Sequence, residues 1–442
     1  MTTLSIVTYI LGFLFGVGQM VDINLVGRIT LADFVVWIPM PIYLYQTRHI
    51  IFSKKGALIL FALACYLASL LITNWLTHNP FFLSLRGFLR VFFMGGYMIF
   101  FIWLLQTNPK ALWAVILGAA LGSPIIMLRP GAWLEESANS EGYGLWASIY
   151  SKITLSVVIF VSCFAYNFSR TVAIVIILVS TTVLSPFVPR SETLIGFATA
   201  LILTYLAISH SGHLRSFQKL TPGRLVFFGC LGCMGLLMIY FMYIYAAPAG
   251  ILGHYQQEKF YAQTSTEWGV TPWGLVLSGR TEFVAATMAV RDHPIIGMGS
   301  WNSFGWAPYL VDALRLGGAN VSSNAMGGFY GSYYSHHATF LGEWAEAGIG
   351  AMIFWAITVY CSVKVLFNII RYDNVFAPYI ISALLYFYWN LMFSPLNISL
   401  RIGTGLVLAL YLLLYAPRSP LFPFSFAWLP RLLRNQLPRA PR

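Results

Sequence analysis

The sequence predicts an all-α integral membrane protein, with about twelve transmembrane helices and one large, partly helical loop on the periplasmic side. Three observations predict it. Of 442 residues, 58% are hydrophobic and only 9% charged, against about 25% charged in soluble domains. The apolar residues fall in long runs, and one crossing of the hydrocarbon takes about 20 of them. Lys and Arg recur at alternate ends of those runs, as cytoplasmic loops require. A net charge of +12 would suggest nucleic acid in a soluble chain. Here it follows from basic cytoplasmic segments, and no nucleic-acid partner is expected.

Spans read at roughly 4–20, 31–47, 57–76, 87–106, 111–128, 147–167, 171–187, 192–208, 225–247, 338–364, 377–393 and 399–416. The opening MTTLSIVTYI has no basic n-region or small-residue cleavage site, so it reads as a retained helix. With that end cytoplasmic, every inner segment holds a base. These are Arg48, Lys54 and Lys55; Lys110; Arg170; Arg215, Lys219 and Arg224; Lys364 and Arg371; and the tail from Arg418 to Arg442. The chain then divides into spans one to nine (1–247), a periplasmic loop domain (248–336), spans ten to twelve (337–416) and a basic cytoplasmic tail (417–442). All five cysteines lie in apolar segments. The Cys230-x-x-Cys233 pair has no second ligand pair near it, so neither metal nor redox chemistry is expected there, and the periplasmic loops hold no Cys, so no disulfide is expected.

Some basic residues break the inside rule. Arg28, Arg86, Arg129, Arg190 and Arg401 fall at periplasmic ends, and Arg90 and Lys152 lie about a turn inside. Any one can snorkel to the interface. Several on one face suit an anionic ligand. In the long loop, Arg280–Asp292 reads as a helix, with Phe283, Thr287, Met288 and Arg291 at helical spacing. Ser278-Gly279 caps it and His293-Pro294 stops it. Residues 317–335, rich in Gly, Ser and Tyr, fit a mobile cover or a plain surface loop.

Chemistry concentrates in three stretches: SGRTEF (278–283), HPIIGMGSW (293–301) and HHATFLGEWAEAGIGA (336–351). On one continuous helix, His336 and Glu343 would share a face and His337 would point elsewhere. Glu343 and Glu346, carboxylates inside a span, are functional candidates. A bare His pair fits an interfacial helix cap better than it fits catalysis. Trp301, Trp306, Tyr330, Tyr333 and Tyr334 read as an aromatic belt before sugar stackers.

In order and spacing these stretches resemble the O-antigen ligase/polymerase superfamily. There, a GR stretch opens a periplasmic helix, an hPxxGxG turn ends it, and a His begins a span containing E-x-G. The counterparts are Gly279-Arg280, His293-Pro294-x-x-Gly297-x-Gly299, and His337 with Glu346 and Gly348. Arg190, in PRSET, is similar to the Arg of an earlier periplasmic loop in that family. The resemblance is strongest over about 186–352. Ala338 departs from it, because a small polar residue usually follows the family's His; that leaves His336 as the rival base.

The resemblance implies a glycosyltransferase of the bacterial inner membrane, with its active site facing the periplasm. Its donor would be an undecaprenyl pyrophosphate-linked glycan and its acceptor lipid A–core. Arg190 and Arg280 would hold the pyrophosphate and His337 would be the general base, with His336, Arg86, Arg90, Lys152 and Arg401 as substrate-binding helpers. No DxD pair occurs in the loop, whose acids (Glu258, Glu267, Glu282, Asp292, Asp312) are scattered, so no metal and no cofactor are expected. Direct attack would invert the anomeric centre. A polymerase of the same group would carry two sizeable loops with paired motifs, where this chain has one. Protein O-glycosylation stays open. So does a transporter, although transport sites gather near the midplane.

Overall fold

The computed structural model of the chain describes residues 3–24, 28–127, 156–184, 190–210, 243–251, 254–265, 281–316, 338–372 and 374–415, with isolated positions between 234 and 278. They are almost wholly helical. Among them the strands are one short antiparallel hairpin, β1 (Asp22–Asn24) with β2 (Arg28–Thr30), in which Ile23 faces Ile29. Helices follow in order: α1 (Thr3–Gly18), α2 (Leu31–Trp37), α3 (Met40–Ile51), α4 (Lys54–Leu76), α5 (Phe81–Thr107), α6 (Leu112–Met127), α7 (Ser156–Tyr166), α8 (Arg170–Leu184) and α9 (Arg190–His210). The loop region contributes α10 (His254–Thr264), α11 (Thr281–Asp292) and α12 (Ser303–Leu316). The chain then forms α13 (Thr339–Ala347), α14 (Ile349–Arg371), α15 (Ala377–Phe393) and α16 (Ile398–Leu414).

The fold is all-α and of membrane type. Four segments are long and apolar enough to cross a membrane: Lys54–Leu76, Phe81–Thr107, Ser191–Ser209 and Ile349–Arg371. Shorter apolar helices accompany them. Val172, Val175, Val179 and Val183 form a helically spaced stripe on α8 that is about half exposed or more. Such a stripe suits lipid contact better than water.

Apolar contact with lipid tails is as good as contact with another Leu, so close backbone approach and dispersion must hold such helices together. Small residues supply the approach. A Cβ on Gly16 of α1 would strike the backbone of α6 around Val115 and Gly118, and one on Gly405 of α16 would strike Tyr97 of α5. α5 is the central helix, with 72% of its apolar window buried in the protein. Its Phe100 stacks on Phe15 at 4.6 Å and Trp103 meets Tyr43 at 4.4 Å.

Two single spans read from sequence are each a pair of helices. The stretch 31–47 breaks between α2 and α3 at Ile38-Pro39, because proline has no N–H and clashes with the preceding turn. The stretch 338–364 breaks at Gly348, whose φ is +72°. Elsewhere the described residues of the predicted stretches are helical; 147–155, 185–187 and most of 225–242 lie outside the described residues.

Candidate functional site

The break at Gly348 organises the site. α13 ends there because the 294–300 segment takes over its last carbonyls, as an orphaned helix end requires. Met298 N donates to Ala345 O (2.8 Å), and Gly299 N to Glu346 O (3.0 Å). Ile349 N, the first donor of α14, finds Ile295 O (3.1 Å), and Trp344 Nε1 finds Pro294 O (2.8 Å). Gly348 lies against the Ile295 carbonyl and Gly297 against the Glu346 backbone, with no room for a side chain at either. The Gly residues of the HPIIGMGSW and E-x-G stretches are therefore two halves of one joint. Gly348→Ala is expected to cost at least roughly 1–3 kcal/mol, from positive-φ strain plus the clash. Thermal unfolding in detergent measures this, and an unchanged midpoint would contradict it.

The far end of the same segment fastens to the α4–α5 turn. Ser300 N donates to Asn74 Oδ1 (2.8 Å), and Asn79 Nδ2 to Ser300 O (2.7 Å). Gly87 of α5 sits directly against Ser300. Trp301 follows, at φ +55°. Its ring lies under two guanidinium groups of α5, Arg86 at 3.8 Å and Arg90 at 5.7 Å.

Behind Trp301 is a buried ionic cluster. Arg90 Nη2 reaches Glu343 at 2.8 Å and also bonds Glu346. Both carboxylates project from α13, three residues apart and so on one helix face. Tyr66 of α4 donates to Glu343, and Ser69 to Ala347 O. Arg90, Glu343 and Glu346 are 7%, 2% and 2% exposed, so water does little to screen them. Farther along α5, Tyr97 donates to Asp33 at 2.5 Å; Asp33 also closes the capping box of α2 through Thr30. Arg401 of α16 lies nearby, its guanidinium 5.6 Å from the Phe93 ring.

Of the residues singled out in the sequence, Arg86 and Arg90 come together with Glu343 and Glu346, and Arg401 lies deeper along α5. Arg190 opens α9, but its side chain lies outside the described residues. Lys152, Arg280, His336 and His337 lie outside them altogether. One expectation is corrected. Ala338 has φ −149° and α13 starts at Thr339, so His336 and Glu343 do not share a continuous helix. Thr339 is instead tied by its N and Oγ1 to Ser394 O at the end of α15 (3.1 and 2.6 Å). That anchor fixes the chain two residues after His337. Among the described residues, no three His, Cys, Asp or Glu side chains converge as metal ligands.

In the loop, the predicted helix is present as α11, but its buried face is Ala285, Ala286, Ala289 and Val290; Thr287 and Arg291 are exposed. These alanines pack with Met298, Trp306, Leu310 and Ala313, and with Ala345 of α13. The helical part of the loop thus has a small core of its own that reaches the site. Tyr66 and Asn74 were not read as site residues. Their signal was present in the polar stripe Tyr66, Ser69, Thr73, Asn74 running down an otherwise apolar span.

No family model matches the chain, and no curated protein matches it.

Proposed function

We propose that the chain is an O-antigen ligase of the bacterial inner membrane. It moves a glycan from undecaprenyl pyrophosphate to lipid A–core at the periplasmic face, with no metal or ATP. What supports the reading is the joint between the two glycine-bearing stretches. The turn that ends α11 is hydrogen-bonded to the helix that follows the His pair, beside the Arg86 and Arg90 guanidiniums. Arg280 immediately precedes α11, and His337 lies two residues before α13.

In this reading the acceptor hydroxyl attacks the anomeric carbon and its proton passes to His337. The bond from that carbon to the phosphate oxygen breaks with inversion. The lipid pyrophosphate leaves with the bonding pair, its charge held by Arg190 and Arg280. Arg90 is committed to two carboxylates, so it shapes the wall rather than supplying net positive charge.

The experiment is to delete the gene and run lipopolysaccharide on a gel. Loss of the long-chain ladder over an intact core, with lipid-linked polymer accumulating, selects the ligase. A normal ladder rejects it. Full transfer in excess EDTA is also expected of the purified enzyme, and a strict need for added Mg²⁺ or Mn²⁺ would overturn the guanidinium account.

A further inference from the structure

The outer surface of the same joint carries a second concave feature. A groove of about 410 Å³ opens between the 294–302 segment, the start of α12 and the end of α4. That volume falls in the range of small-ligand sites. Met298 and Gly297 form its buried floor. Thr77 and Asn302 supply polar edges, and His293, Pro308 and Tyr309 form the open wall. The His293 and Tyr309 rings stand edge to face, 89° apart with centroids 6.4 Å from each other. Together they make an L-shaped aromatic corner with one polar ring. Asp292, hydrogen-bonded to Arg291, is held below the usual carboxylate range and stays an acceptor beside that corner.

The surroundings say where a ligand would come from. Trp75, Phe81 and Phe82 flank the turn that carries Thr77, and all are about 70% exposed or more. Ile296 of the groove and its neighbour Ile295 are also exposed. An exposed Trp beside bared Phe and Ile side chains around one turn suits the boundary between a bilayer's headgroups and its hydrocarbon. A groove at that level meets headgroups before it meets free solutes.

We propose that this groove is a saccharide subsite for the sugar units of a glycolipid anchored in the adjacent leaflet. Apolar pyranose faces stack on Tyr309 and His293 while hydroxyls bond to the imidazole, Asp292 and the Thr77 edge. The groove floor is the peptide that caps α13, so a sugar bound here lies across one backbone segment from the Arg86–Trp301–Arg90 wall. Its role as the acceptor's docking point rests on the ligase reading; saccharide binding itself does not.

The test reads binding without transfer. The purified full chain in nanodiscs is titrated with delipidated core oligosaccharide by saturation-transfer NMR, and in a second arm with the intact glycolipid in the same discs. Tyr309→Ala and His293→Ala should each weaken the oligosaccharide about tenfold. Tyr309→Phe should keep binding within about threefold, since the stacking face survives. The lipid-anchored form should bind more tightly than the freed sugar. No binding by the wild type, or wild-type affinity in both alanine variants, overturns the subsite; a variant counts only if its unfolding midpoint matches the wild type's. Equal affinity in the two arms overturns the lipid-anchored source. Inactivity in transfer touches only the ligase reading.

Discussion

Arg90→Ala should be the most damaging single substitution in the described part of the chain. The guanidinium lies between Glu343 and Glu346, all three nearly inaccessible. Removing it leaves two buried carboxylates facing each other without their shared cation, Glu343 keeping the Tyr66 hydroxyl. Breaking a buried ion pair by deleting one partner costs about 3–5 kcal/mol. The variant should therefore unfold at a much lower temperature in detergent, or fail to accumulate in membranes. Neutralising the whole cluster should not do the same. Arg90→Met combined with Glu343→Gln and Glu346→Gln removes the unpaired charges, and buried ionic clusters replaced by neutral groups are often tolerated. A triple variant that folds and still transfers glycan makes Arg90 a scaffold residue; one that folds and is inactive gives it a part in substrate binding. If Arg90→Ala unfolds like the wild type, the cluster does not hold α13 to α5.

His337→Ala should have the largest effect on activity. Under the ligase reading, losing a general base lowers transfer by about 10²–10⁴-fold while insertion and folding persist. His336→Ala should lose far less, because the His337 position preserves the spacing to Glu346 and Gly348. In vitro transfer from a lipid pyrophosphate donor, normalised to folded protein, distinguishes the two. Near-normal transfer by His337→Ala removes it as the base, and a greater loss at His336 exchanges their roles.

Helix positions were legible because an apolar run of the right length leaves few alternatives in lipid, where every backbone polar group must be satisfied within its own segment. The charged residues of the site were also legible as exceptions to an apolar background, Arg86, Arg90, Glu343 and Glu346 among them. Their pairing was not. Arg90 meets Glu346 across 256 residues of chain, and local spacing carries no trace of that. The break at Gly348 was hidden for a related reason. A glycine inside an apolar stretch is common in membrane helices, and what ends the helix here is the Ile295 carbonyl arriving from the loop. Which face of α11 is buried was not read from the sequence; a helix lying close against its neighbours buries its alanines.

The way Ile295 to Ser300 is stitched to both the tip of α4–α5 and the end of α13 has a bearing on grafting experiments. A donor segment exchanged at 248–336 alone would bring in one set of teeth and leave the recipient's other set unmatched at Asn74, Asn79 and Ala345–Ile349. Specificity transplants should therefore succeed only when the cut points move outward, so that residues 74–87 and 338–350 travel with the loop as one inheritable unit.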